Sequence, residues 1–419
     1  MKFKNIFDQA LKFKLPNGLY VELIYAPTHQ TYVQYDMPLG SIHSRYKIDD
    51  TIYELKPGIA HFLEHMMYMM PDHDAFEHFH QLGVVANAMT TYRQTTYDII
   101  GHQHMLEATL YLIDMLETPV FTSKRVQQER AIIQEEIAMY DDELDTIIQK
   151  KMFDQLLIHH PLKSQITGYK KDIARIKKED LNVAYDHFYR ADNRQLLIMG
   201  PIDVEAFEKA LKSYPYKIKS PTMPMMMPHQ EPLMIKQSEV FYHIPIEVSV
   251  LNVGLKLNID NINESNLFKT EVTMLFLMRL LFGTTSNFHD QMIQNNLMID
   301  GFNLNVTLED QTLIFMMDVE SNDTISLKKH VEQHLLYGFE NEIDASTFSD
   351  LKKAYIGHFM MALDDIENRL FIYGKYRQYN FSLFDAYNIL ESITLKDVLE
   401  LKTHIKPQLI SYSHFITKD

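Results

Sequence analysis

"GIAHFLEHMMYMM", residues 58–70, is an apolar run broken by His61, Glu64 and His65. Pro57-Gly58 precedes it and Pro71 follows, so the run has a start and a stop of its own. Positions i and i+4 of a helix share a face one turn apart, which lets His61 and His65 direct two imidazoles at one ion. Glu64 would project beside them and could take a proton from a water at that ion without being a ligand. Without a shared partner, three ionisable groups in one apolar helix would be expensive to desolvate. Among the 20 histidines of 419 residues, about one i,i+4 pair is expected by chance. A second pair, His330/His334 in "KKHVEQHLL", has Glu332 at i+2, on the wrong face to serve it. That pair, "HFH" (78–80) and "HH" (159–160) read as surface residues. Met66, Met67, Met69 and Met70 are expected to pack behind the triplet.

Two histidines leave a catalytic zinc one protein ligand short. "QQERAIIQEEIAMYDD" (127–142) offers candidates for the third. Glu136 follows Glu129 by seven residues, which puts both on nearly one helix face with a drift of about 20°. One carboxylate could then bind metal while the other sits behind it and orients a ligand. Glu135 points about 100° away and reads as solvent-facing.

Outward from these segments the chain alternates strands and helices. "LPNGLYVELIYA" (15–26) places a turn before a β-rich run, and "TYVQYDMPLGS" (31–41) reads as a second strand. Helical spacing covers 58–70, 73–82 and 105–117, with strands at 84–91 and 95–101. A long helix starts after Thr122-Ser123, and "RQLLIMG" (194–200) reads as a buried strand. "SPTMPMMMPHQEP" (220–232) carries Pro221, Pro224, Pro228 and Pro232, as an extended linker would.

The halves on either side are alike. "ARIKKEDLNVAYDHFYRADNRQLLIMG" (174–200) is similar to "ESITLKDVLELKTHIKPQLISYSHF" (391–415), and residues 117–143 have a counterpart at 340–367. This predicts a duplicated α+β unit of about 200 residues per copy. The expected division is a metal-binding domain over 1–219, a linker over 220–236 and a homologous domain over 237–419 that lacks the triplet.

Composition narrows the class. The chain contains no cysteine, so any metal must be held by His, Asp or Glu. A net charge of −16 argues against non-specific nucleic-acid binding. No apolar run approaches the roughly 18 residues of a membrane span. The N-terminal "MKFKNIFDQALKFK" lacks the pattern of a secretory signal, so a cytoplasmic location is expected.

"HFLEH", the downstream "ERAIIQEE" and "ANAMTT" between them together resemble the pitrilysin-type zinc metallopeptidases, the inverzincins, whose motif is H-x-x-E-H. The resemblance extends over essentially the whole chain and is strongest to short, two-domain bacterial members. It implies two homologous α/β-sandwich domains, each a largely antiparallel sheet packed with helices, forming a clamshell. It also implies a zinc cofactor held by His61, His65 and Glu136, with Glu64 as general base and Glu129 behind the ligands. Asn87 and Ala88 would meet the main chain of a peptide substrate added to an edge strand.

One departure stands out against that resemblance. Long relatives supply an Arg and, seven residues later, a Tyr from the C-terminal half, and the matching stretch here carries Met292 and Ile299. The resemblance therefore leaves three alternatives to the lone peptidase. The chain could act with a related non-catalytic subunit, serve as a non-enzymatic scaffold, or bind metal without hydrolysis. A homodimer or a heterodimer with a related subunit is expected.

Overall fold

Strand Thr31–Met37 is buried along its whole length, which a strand achieves only inside a sheet covered on both faces. Its sheet has six strands, in the order Leu11–Lys14, Tyr20–Tyr25, Gln195–Gly200, Thr31–Met37, Thr95–Gly101, Val84–Thr90. All neighbours run antiparallel except Tyr20–Tyr25 and Gln195–Gly200. The computed structural model describes residues 10–189, 192, 194–216, 224–259, 264–338, 345–378 and 381–418. Within them the strands and helices expected over 84–117 and 123–142 are present, and the helix expected over 58–70 is Ile59–Met67.

Pleating sends alternate residues of this sheet to opposite faces. Val33, Tyr35, Tyr97, Ile99, Leu196 and Ile198 form one face and pack on helices Ile59–Met67, Met105–Glu117 and Ser123–Asp142 through Phe62, Leu63, Met66, Leu112 and Ile133. The opposite face is polar and still buried. Asp36 accepts hydrogen bonds from Gln34 Nε2 (2.9 Å), Thr96 Oγ1 (2.7 Å) and Gln195 Nε2 (2.7 Å). Over this face lies part of helix Ile366–Gln378, whose Tyr373 hydroxyl donates to the buried Glu22.

The chain forms two compact units, and their membership differs from the expected division in two places. The first is Met1–Glu143, Ser164–Met227 and Asp364–Gly374; the second is Leu144–Lys163, Pro228–Leu363 and Lys375–Asp419. Thus residues 144–163, assigned to the N-terminal half by sequence, belong to the second unit, and 364–374 belong to the first. The reason is burial. Helix Leu144–Leu156 buries Ile148 against Val250 and Phe415 of the second unit, and its Gln155 Nε2 bonds Ser413 Oγ at 2.5 Å.

Of the expected linker, residues 220–223 lie outside the described residues. The rest is anchored. Met225–Met226 pairs with Arg45–Ile48, and Glu231 is buried.

The second unit has a five-stranded sheet, in the order Glu239–Ile244, Ile410–Thr417, Val250–Asn258, Thr312–Glu320, Asn303–Glu309. Its first pair is parallel and the others antiparallel. This is the order and direction of the last five strands of the first sheet, so the α+β duplication read from the sequence is present in the topology. Among the described residues no helix is long and apolar enough to cross a membrane.

Three local expectations change. His160 is fully buried rather than on the surface, because His159 alone of that pair faces out. His334 is half-buried, its ring stacked on Phe288 with centroids 4.4 Å apart. In "HFH" (78–80) His78 is likewise half-buried, 4.1 Å from the Tyr111 ring by centroids, and Phe79 is buried in the core, leaving His80 exposed.

Candidate metal centre

Helix Ile59–Met67 begins at Gly58, whose φ of 84° is left-handed. A Cβ there would also lie 2.5 Å from the Thr167 carbonyl oxygen, so glycine is required twice over. The helix buries Phe62, Leu63, Met66 and Met67, with Met70 buried beyond its end, and so turns His61 and His65 to one side together. Their ring centroids are 4.6 Å apart.

The second element is helix Ser123–Asp142, capped by the Thr122 hydroxyl, which accepts from the Arg125 N–H at 3.2 Å. The Arg125 guanidinium donates to the carbonyls of Met69 (3.1 Å), Met70 (2.6 Å) and Pro71 (2.9 Å). That clamp fixes the long helix against the segment leaving the histidine helix. Further along this helix Glu129 is buried, Glu136 is half-buried and Glu135 is exposed, as the seven-residue spacing requires.

The two helices bring the three expected ligands together. Donor atoms of His61, His65 and Glu136 all lie within 4.8 Å of one another. Glu136 Oε1 is 3.5 Å from His61 Nε2, and Glu136 Oε2 is 3.4 Å from His65 Nε2. Two tetrahedral ligands of one zinc, each at about 2.0 Å, stand about 3.3 Å apart. Glu136 Oε2 is buried without a hydrogen-bond donor, an arrangement that leaves its lone pairs for a cation. Two nitrogens and a carboxylate oxygen are also the ligand chemistry zinc takes in catalytic sites.

The imidazoles and carboxylates of the pocket favour one another's charged forms. Burial lowers the affinity of His65 for a proton, but Glu129 and Glu136 outweigh it and raise its pKa to about 9. Burial pushes the Glu136 carboxyl up, and the two imidazoles overcome that and hold it well below the usual carboxylate range. Glu129 bonds His65 Nδ1 through Oε1 at 2.7 Å, the position a ligand-orienting carboxylate takes.

Glu64, half-buried, accepts a hydrogen bond from the Thr90 hydroxyl. Thr90 ends strand Val84–Thr90, which among the described residues pairs only with Thr95–Gly101 and so forms the sheet's edge. Asn87 on that strand is exposed and Ala88 is half-buried. Sequence reasoning missed Thr90, which bonds Glu64, and Arg125, which bonds the Met69–Pro71 carbonyls, since neither lies at a metal-ligand spacing. Tyr140 was missed too. It lies one turn beyond Glu136, and burial together with Glu136 raises its hydroxyl pKa. Of the positions where long relatives carry Arg and Tyr, Met292 is buried in helix Asn287–Gln294, and Ile299 is exposed without a polar group.

Residues 25–170, which contain His61, Glu64, His65, Glu129 and Glu136, match the family Insulinase (Peptidase family M16). Over that stretch the chain is similar to M16 peptidases. Over 405 residues, 95% of this chain and 94% of the relative, it is 29% identical to "Uncharacterized zinc protease YmfH" of Bacillus subtilis (strain 168). It also resembles a solved M16-like peptidase from Alicyclobacillus acidocaldarius, with a TM-score of 0.90, 26% identity and 98% of each chain covered. An inactive M16 domain from Pseudomonas fluorescens shares the fold at a TM-score of 0.74 and 14% identity, over 98% of this chain and 99% of that one. An M16 fold is therefore not by itself a peptidase, and the residues of the centre must carry that argument.

Proposed function

We propose that this chain is a zinc-dependent endopeptidase acting on unfolded oligopeptides or leader segments. The observation that carries the reading is the convergence of His61, His65 and Glu136 donor atoms within 4.8 Å. Zinc bound there would supply a Lewis acid and a water acidified towards a pKa of about 7. Glu64, one residue before His65, accepts the proton of the attacking water and returns it to the leaving amine. Thr90 holds the Glu64 carboxylate through its hydroxyl, and Glu129 holds the His65 ring.

The free edge of Val84–Thr90 supports an extended substrate. An added strand needs unpaired main-chain N–H and C=O groups, which a folded protein has already used. Met292 and Ile299 favour a second reading, in which a related subunit completes the substrate site.

Hydrolysis of a quenched fluorescent peptide library by the purified protein tests both. Activity should vanish on chelation and return with zinc, and cleavage surviving complete metal removal would sink the first reading. A chain that is silent alone but active after addition of a related chain would establish the second.

A further inference from the structure

Beside the edge strand lies an open cavity of about 620 Å³, lined by Phe76, Glu77, His80 and Gln81 of helix Ala75–Gln81 and by Val84, Val85 and Ala86 of strand Val84–Thr90. We propose that this cavity is a subsite for a large apolar side chain of the peptide substrate. The inference rests on the peptidase reading above and adds what that reading leaves open, a preference for one class of residue.

Three observations carry it. The strand alternates, with Val85, Asn87 and Met89 exposed on one face and Val84, Ala86, Ala88 and Thr90 turned to the other. A peptide strand added to the edge continues the pleat, so every second side chain projects to the face of Ala86 and Ala88. Alanine at position 86, which lines the cavity, leaves room there for a bulky guest.

The wall is apolar and held in place. Phe76 is 44% exposed, and its ring stacks on the buried Tyr68 with centroids 4.0 Å apart and planes 11° from parallel. An exposed phenylalanine ring fixed by a buried neighbour is a ready apolar contact, with little side-chain freedom left to lose on binding. Glu77 and His80 are exposed and make a polar rim.

The cavity is also tied to the proposed catalytic residues through one strand. Thr90, which bonds Glu64, belongs to the same strand as Ala86. At about 3.3 Å per residue the two are about 13 Å apart. The subsite therefore reads a substrate residue displaced along the chain from the scissile bond rather than flanking it.

The test uses the full-length Glu64→Gln protein loaded with zinc, and fluorescent decapeptides in which one Phe is moved through an otherwise polar sequence. Anisotropy then reads binding without turnover, so a failure of hydrolysis is distinguished from a failure of the subsite. One Phe position should bind about tenfold more tightly than the alanine peptide, the scale expected from burying part of an aromatic ring. Phe76→Ala should reduce that preference to about twofold. Ala86→Leu, which fills the cavity from its floor, should do the same. Indifference to the Phe position overturns the proposal, as does a preference that survives in both folded variants. Should Phe76→Ala not fold, the Ala86→Leu result decides alone.

Discussion

The Glu129 carboxylate lies 2.7 Å from His65 Nδ1 and contributes no donor atom to the metal cluster. A proton shared on that side commits the opposite nitrogen, Nε2, to the centre, where it faces Glu136 at 3.4 Å. Glu129→Ala should therefore weaken zinc binding about 10- to 100-fold. Glu129→Gln should lose less, because its amide oxygen can still accept. Competition against a chromophoric chelator measures both, and unchanged affinity in the alanine variant would remove the orienting role.

In the proposed reaction Glu64 handles protons and is not among the three residues whose donor atoms cluster. Glu64→Gln should keep one zinc per chain and lose about 10²- to 10⁴-fold in kcat. Thr90→Val, which removes the hydroxyl that Glu64 accepts from, should lower kcat about tenfold with metal content unchanged, the scale of one lost hydrogen bond to a charged group. Metal analysis beside peptide kinetics separates these outcomes. A Glu64→Gln protein that loses its zinc would instead make Glu64 a ligand.

Asp98, on the polar sheet face, has its pKa pushed up from 3.8 to about 7 by burial, and by Glu367 and Asp36, with the Tyr32 hydroxyl opposing. Because the folded value exceeds the unfolded one, its stabilising contribution is complete below the unfolded pKa of 3.8 and is lost as the pH rises through about 7. Asp98→Asn should raise the melting temperature at pH 8 and change it little at pH 4. Equal gains at the two pH values would show that ionisation of Asp98 is not the cause.

Glu231 and Lys256 form a buried pair at 2.9 Å in the second unit, and Glu231 also accepts the backbone N–H groups of Ile158, His159 and His160. Lys256→Met strands that carboxylate and should cost about 3–5 kcal/mol in denaturant unfolding. The double change Lys256→Met with Glu231→Gln should recover part of it. A loss below about 1 kcal/mol, the level of an exposed pair, would show the site to be wet.

Much of the centre was legible before folding. Helical periodicity alone aligns His61 with His65 and Glu129 with Glu136, because side-chain direction along a helix follows from backbone geometry. The strand over 84–91 was legible from its pattern, while its place at the sheet edge came only from the family resemblance. Thr90 and Arg125 were not, since they act on partners 26 and about 55 residues away, Glu64 and the Met69–Pro71 carbonyls. No local pattern records a contact at that separation. His160 was misread for a related reason, as adjacent histidines carry no sign of which one faces inward.

What the sequence determined by itself was the chemistry on offer: nitrogen and oxygen ligands without sulfur, set at helical spacings, in one of two similar halves. Helical spacing left open which carboxylate meets both imidazoles. The tertiary structure puts Glu136 there and Glu129 behind His65, the roles the family resemblance had implied. It also decided that residues 144–163 and 364–374 belong to the unit opposite their own half. Spacing fixes a side chain's direction about its own helix axis. Where two axes pass, and which unit a helix joins, depends on the apolar surface that remains to be covered once the chain has closed on itself.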